Sequence, residues 1–148
     1  MKTKSRIIYL FFVIAFSCAV FAGCKSDVVY PFAHDISQII EIKIGTKREE
    51  SVDSININDR YSIKNEIKEK DEFIKDFEKL KFSKNFPGDP IAIKPNDYAI
   101  IFIYKNGDSE EVHWGAQLKK LGGYEKSGRI HCDEVAFNEL ISKWSFDL

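Results

Sequence analysis

The residues that could carry chemistry are few and lie far apart in the chain. The three histidines, His34, His113 and His131, form no His-x-x-x-His pair, and the cysteines form no Cys-x-x-Cys pair that would hold a metal ion. The sequence also lacks a Gly-x-Ser-x-Gly nucleophile motif, a phosphate-binding loop and a dinucleotide fingerprint. It therefore predicts no catalytic residue, no metal site and no cofactor.

Two sets of residues leave a small hydrolase as an alternative function. Glu111 and His113 are two positions apart, so they share one side of a strand and could act as an acid–base pair. Cys132 is a candidate nucleophile, but on a strand its neighbour His131 points to the other side and cannot activate the thiol. We expect Cys132 to be a buried small hydrophobic residue instead.

The two pairs of adjacent acids have simpler explanations than catalysis. Glu110-Glu111 falls in a predicted strand and is interpreted as its solvated edge. Asp133-Glu134 precedes an apolar helical pattern and is interpreted as a helix start, where the helix dipole favours acids. Neither pair by itself predicts glycoside chemistry, because that requires a particular separation in space.

The elements that must position these residues are visible as apolar periodicities. Ile40, Ile42 and Ile44 alternate with charged residues and predict a strand. Two further sets of apolar residues recur at helical spacing: Phe73, Ile74, Phe77 and Leu80, then Phe137, Leu140, Ile141 and Trp144. They predict two helices, the second capped by Asp133. The fold class predicted is α+β, with four to five mostly antiparallel strands and two helices packed on one face.

The clearest predicted element is a β-hairpin around Asn106-Gly107, a strong turn signal. A two-residue turn, which we favour, places Ile101 opposite Val112, with both side chains facing the helices. The other face then carries the candidate binding face: Tyr98, Ile100, Phe102, Tyr104, Glu111 and His113. A three-residue turn with a bulge remains open, and it would exchange the two faces of the first strand.

The candidate binding face needs a cover because it still holds apolar side chains. The possible covers are residues 116–123, a second subunit and a ligand. Residues 116–123 are predicted to be a loop, and we favour this loop as the cover.

Composition is typical of one ordinary globular domain. The chain has 148 residues, of which 30% are charged and 44% are hydrophobic. Three of the 22 basic residues lie in the first 23 positions, where no acid occurs, so the rest of the chain is mildly acidic. An acidic domain without clustered Lys and Arg has no electrostatic surface for nucleic acid.

The start of the chain has the layout of a secretory signal. Lys2, Lys4 and Arg6 precede an apolar run over residues 7–20, which is shorter than the ~20 residues of a comfortable membrane-spanning helix. The four residues Phe21-Ala22-Gly23-Cys24 resemble the lipobox of bacterial lipoproteins, although that family most often has Leu in place of Phe21. The resemblance implies cleavage before Cys24 and a diacylglyceryl group on its thiol. It covers the first 24 residues only.

These expectations divide the chain into a signal peptide (1–23), a lipidated cysteine and tether (24–35) and a single α+β domain (36–148). An extended tether of this length reaches at most ~40 Å. We expect a lipoprotein anchored on the extracytoplasmic side of the cell membrane, whose non-enzymatic domain binds an envelope protein or an extracellular ligand. Ordinary secretory cleavage after Ala22, or an uncleaved anchor, remains open and would leave a protein of structural role.

Overall fold

The computed structural model describes residues 28–49, 56–83 and 92–145, which form a six-stranded antiparallel sheet, a two-stranded sheet and three α-helices. The strands are β1 (Ile39–Lys47), β2 (Tyr61–Glu66), β3 (Phe82–Ser83), β4 (Tyr98–Tyr104), β5 (Ser109–Val112), β6 (Gln117–Leu121), β7 (Tyr124–Gly128) and β8 (His131–Cys132). The helices are α1 (Ile57–Arg60), α2 (Lys70–Phe77) and α3 (Glu134–Ser145), and a 3-10 turn spans Ile36–Gln38. The large sheet has the order β2-β1-β4-β5-β6-β7, and β3 pairs with β8.

The α+β class is confirmed, but the large sheet alone has more strands than the four or five predicted. One reason is that residues 116–123, predicted as a covering loop, contain β6, which pairs with both β5 and β7. Gly122 and Gly123 have φ values of +58° and +86° and form a tight turn after β6. The prediction of a loop was therefore wrong, because the two glycines connect strands directly.

Helices α2 and α3 form where apolar residues recur at helical spacing, and they pack on the same face of the large sheet, here called the helix side. The buried helical residues are Phe73, Ile74 and Phe77 in α2 and Phe137, Leu140, Ile141 and Trp144 in α3. Beneath them lie Ile42, Ile44, Ile100, Phe102 and Val112. The rings of Phe77 and Phe102 meet edge to face with centroids 5.2 Å apart. The apolar faces predicted for both helices are confirmed.

The hairpin between β4 and β5 has a three-residue turn, so the favoured two-residue turn is wrong. The Tyr104 amide donates to the Asp108 carbonyl at 2.9 Å, and the Gly107 amide donates to the Tyr104 carbonyl at 2.9 Å. Gly107 has φ +85°, the left-handed conformation required at the bulge of such a turn. Asp108 is held in place because its carboxylate accepts a 2.8 Å hydrogen bond from the Gly122 amide.

This register exchanges the two faces of β4. Ile100 lies opposite Val112 on the helix side, and Ile101 lies opposite Glu111 on the other face, here called the reverse side. The predicted binding face is therefore split between the two sides of the sheet: Ile100, Phe102 and Tyr104 on the helix side, Glu111 and His113 on the reverse side. The single extra residue in the turn is the reason why the predicted binding face was wrong.

The packed part of the structure includes residues from Val28, the first described residue, whereas the domain was predicted from residue 36. Val28 forms a β-bridge with Phe82. The Tyr30 ring is buried 5.3 Å from that of Phe82, and the Phe32 ring packs edge to face on Phe102 at 5.3 Å. The C-terminal part of the predicted tether thus belongs to the core, because its aromatic side chains cover the helix side. The predicted signal peptide and Cys24 lie outside the described residues.

Candidate functional site

The reverse side of the large sheet carries a second, smaller core. Tyr61, Ala99 and Ile101 are buried there, and α1 leads directly into Tyr61 at the start of β2. The close approach of β2 depends on Gly45 in β1. A Cβ atom at Gly45 would lie 3.1 Å from the Ser62 carbonyl oxygen and 3.2 Å from the Tyr61 Cβ, so a larger residue there would displace β2.

Tyr61 connects the two candidate acid–base residues on this side. Its hydroxyl donates to Glu111 Oε2 at 2.7 Å and lies 3.1 Å from His113 Nε2. Arg60 Nη2 lies 3.0 Å from the same Glu111 oxygen and forms an ion pair with it. The predicted pair of Glu111 and His113 is thus brought together, but through Tyr61, which the sequence did not single out.

The hydrogen bonds of His113 make it a neutral acceptor. Its Nδ1 lies 3.0 Å from the Tyr98 carbonyl oxygen, which can only accept, so Nδ1 carries the proton and Nε2 faces the Tyr61 hydroxyl. Burial lowers the pKa of His113 to about 4, although the hydrogen bond to Tyr98 opposes that shift. Burial also raises the pKa of Glu111, against the hydrogen bond from Tyr61 and the charge of Arg60.

The network of Arg60, Tyr61, Glu111 and His113 is closed to a substrate. The exposed fractions of Tyr61, Glu111 and His113 are 1%, 0% and 3%. Tyr61 has a single proton for two acceptors, and Glu111 Oε1 has no hydrogen-bond partner among the described residues. A general acid or base must come within hydrogen-bond reach of its substrate. In this arrangement the four residues fasten α1 and β2 to the sheet.

Glu110, the preceding residue, is buried on the helix side, and both of its carboxylate oxygens are paired. The Tyr30 hydroxyl donates to Oε2 at 2.7 Å, the Tyr104 hydroxyl donates to Oε1 at 2.5 Å, and the Ala33 amide also donates to Oε1. Lys119 Nζ lies 3.4 Å from Oε2. The interpretation of Glu110-Glu111 as a solvated strand edge is therefore wrong, since β5 lies inside the sheet and both of its faces are covered.

An open groove of about 360 Å³ lies on the reverse side, beside the closed network. Its lining includes the apolar residues Ile57 and Ile103 and the basic residues Lys43 and Lys120. Tyr124, 82% exposed, stands at the groove from β7. None of the six predicted binding-face residues lines this groove.

The remaining predicted residues lie elsewhere. Tyr98 borders a separate depression of about 370 Å³ near α3, together with Trp114 and Phe137. Cys132 is buried opposite Phe82, and burial raises its pKa to about 12, which makes it a poor nucleophile at neutral pH. This agrees with the expectation of a buried hydrophobic cysteine.

Sequence reasoning missed the partners of the two buried carboxylates. A signal was present, because adjacent acids inside an apolar strand must lie on opposite faces, and each needs a donor if the strand is central. The donors could not be identified from spacing, since Tyr61 is 50 residues from Glu111 and Tyr30 is 80 residues from Glu110.

Within the described ranges, no group of three or more His, Cys, Asp or Glu side chains is arranged to hold a metal ion. No described helix is long and apolar enough to cross a membrane. No family model matches the chain, and neither a curated protein nor a solved structure is significantly similar to it.

Proposed function

We propose that this chain is the precursor of a bacterial lipoprotein whose domain binds a partner without catalysis. Cleavage before Cys24 and lipid on its thiol would hold the domain on the extracytoplasmic side of the cell membrane. The support for the anchor is the basic start of the chain, the short apolar run and the Phe21-Ala22-Gly23-Cys24 motif. Two acyl chains meet the two-signal requirement for stable membrane attachment.

One observation favours binding over hydrolysis: the acid–base groups and the open surface are in different places. Glu111 and His113 are buried beneath Tyr61, whereas the groove beside them is lined by other residues. A hydrolase based on this pair would have to lift α1 and Tyr61 off the sheet. A hydrolase based on Cys132 would have to expose a buried thiol whose pKa is about 12.

The lining of the groove suits a segment of another protein. Ile57 and Ile103 offer apolar contact. The groove is also lined by charged residues: Lys120, Lys43, which pairs with Glu41 and Glu66, and Glu125, which pairs with Arg60. Protein interfaces combine an apolar centre with a polar rim, and exposed aromatic residues such as Tyr124 are enriched in them. An envelope protein that presents an apolar side chain between charged ones therefore fits the groove.

Site-specific photocrosslinking in intact cells tests the binding surface. A photoreactive phenylalanine analogue replaces Tyr124 at the groove or, as the matched control, Glu139, an exposed residue of α3. We expect a discrete crosslinked protein from position 124 and none from position 139, identified by mass spectrometry. The charge reversal Lys120→Glu should weaken the crosslink from position 124. Equal crosslinking from both positions would contradict a binding role for the groove.

A further inference from the structure

The N-terminal segment, residues 28–34, is fastened to the domain at both ends. At its start, the Val28 amide donates to the Phe82 carbonyl at 2.8 Å, and the Phe82 amide donates back at 3.3 Å. At its end, His34 Nε2 lies 2.7 Å from Asp108 Oδ2. The segment cannot move from the domain unless these contacts are lost.

Between these ends, a buried group that we call the Glu110 clamp holds the segment: Glu110 with Tyr30, Ala33, Tyr104 and Lys119. Glu110 is fully buried, and its two oxygens accept from two hydroxyls and one backbone amide. Lys119 also donates to the Pro31 carbonyl at 2.5 Å. A buried carboxylate with this many donors is costly to break, because each donor would lose its acceptor inside the protein.

The clamp fixes the length of chain between the anchor and the domain. Residues 25–27 alone separate Cys24 from Val28, so the four extended steps between these two residues span at most about 14 Å. This is close to the radius of gyration expected for a domain of this size, ~13 Å. If residues 28–34 were free, the span would grow to about 40 Å.

We propose that the end of the domain that carries Val28 and Val29 rests in the lipid headgroup layer of the membrane, and that the Glu110 clamp keeps it there. The proposal rests on the lipid anchor at Cys24 proposed above. A lipid-linked cysteine lies at the interface between acyl chains and headgroups, a layer ~5–7 Å thick on each side of the bilayer. Val29 is 69% exposed, and an apolar side chain at that height can enter the interface.

Fluorescence quenching on vesicles tests this placement with the mature protein as the cells process it. An environment-sensitive dye is attached to Val29→Cys or, as the control, to Asn58→Cys, which is exposed in α1 on the opposite side of the large sheet. The native Cys132 is buried and its pKa is raised to about 12, so it does not compete for the dye. Vesicles carry a spin-label quencher on their lipid headgroups.

We expect several-fold stronger quenching of the dye at position 29 than at position 58. Equal quenching at the two positions, in protein that floats with the vesicles, would overturn the placement and leave the anchor intact. Protein that fails to float with the vesicles would overturn the anchor, and the placement with it.

Two variants test the role of the span and of the clamp. A Gly-Ser linker of about ten residues between Asp27 and Val28 leaves the clamp intact and adds about 17 Å of reach. We expect it to reduce quenching at position 29 to the level at position 58, as should Glu110→Gln if that variant remains folded by circular dichroism. Unchanged quenching in the linker variant would show that the short span does not hold the domain at the membrane.

Discussion

Glu110 and Glu111 are adjacent in β5, yet their carboxylates lie on opposite sides of the large sheet and both are fully buried. Glu110 fastens the N-terminal segment to the helix side through Tyr30. Glu111 fastens α1 and β2 to the reverse side through Arg60 and Tyr61. A buried carboxylate stabilises a fold only while its partners remain in place. Each of these contacts therefore predicts a measurable effect of removing one partner.

Removal of the Tyr61 hydroxyl should destabilise the protein. Tyr61→Phe removes the single proton that Glu111 Oε2 accepts and that lies within reach of His113 Nε2, so we expect a loss of about 1–3 kcal/mol in the free energy of unfolding. Urea denaturation measures it. Tyr124→Phe is the control, and since Tyr124 is exposed it should change stability by less than about 0.5 kcal/mol. Equal effects of the two substitutions would argue against the network.

Neutralisation of Glu110 should have a larger effect and should loosen the N-terminal segment. In Glu110→Gln, the side-chain amide has one oxygen, so the Tyr30 and Tyr104 hydroxyls no longer have a carboxylate oxygen each. Lys119 also loses its ion pair. We therefore expect the free energy of unfolding to fall by about 3–5 kcal/mol. Hydrogen exchange of the Ala33 amide should accelerate in the same variant. Glu125→Gln removes an ion pair whose carboxylate is half exposed and should cost at most about 1 kcal/mol. A Glu110→Gln protein as stable as Glu125→Gln would contradict the clamp.

Stability should fall as the pH is lowered through the range in which His113 titrates. The pKa of His113 is lowered from 6.5 to about 4 by burial. Between these pH values the unfolded chain binds a proton that the folded protein excludes, so acid favours unfolding. The contribution of neutral His113 is complete above about pH 6.5 and is lost near pH 4, and it amounts to about 3 kcal/mol.

Glu111 opposes this trend in part of the same range. Because its pKa is raised in the folded protein, Glu111 takes up a proton before the unfolded chain does, and this stabilises the fold as the pH falls towards 4.5. The variant His113→Gln separates the contribution of His113 from that of Glu111. Its free energy of unfolding should fall less steeply than that of the wild type between about pH 6.5 and 4. Titration of His113 by NMR with a midpoint near 6.5 would refute this account.

The helices were predictable because their signals are local. Phe73 and Phe77, like Phe137 and Ile141, recur at helical spacing next to charged residues, and nothing distant is needed to recognise the pattern. The α+β class followed from these helices together with the alternation around Ile42. Burial of Cys132 was also predictable, from the usual environment of a single unpaired cysteine.

The arrangement of the candidate site was not predictable, because it depends on one turn residue and on distant contacts. The bulge at Gly107 exchanges the faces of β4, and both turn types suit the same Asn106-Gly107 sequence. The N-terminal segment has no periodicity, and its burial depends on a carboxylate at Glu110 far along the chain. The groove is built from β1, α1, β4, β5, β6 and β7, so no short motif could mark it.

Metabolic labelling with radioactive palmitate tests the lipid anchor, on which the proposed location depends. Cys18→Ala is the matched control, because Cys18 lies in the predicted signal peptide and is removed with it. We expect the wild type and Cys18→Ala to incorporate label and to fractionate with membranes, whereas Cys24→Ala incorporates none and accumulates as a slower-migrating precursor. Undiminished labelling of Cys24→Ala, or recovery from the culture medium of a mature chain that begins at Gly23, would contradict the lipoprotein assignment.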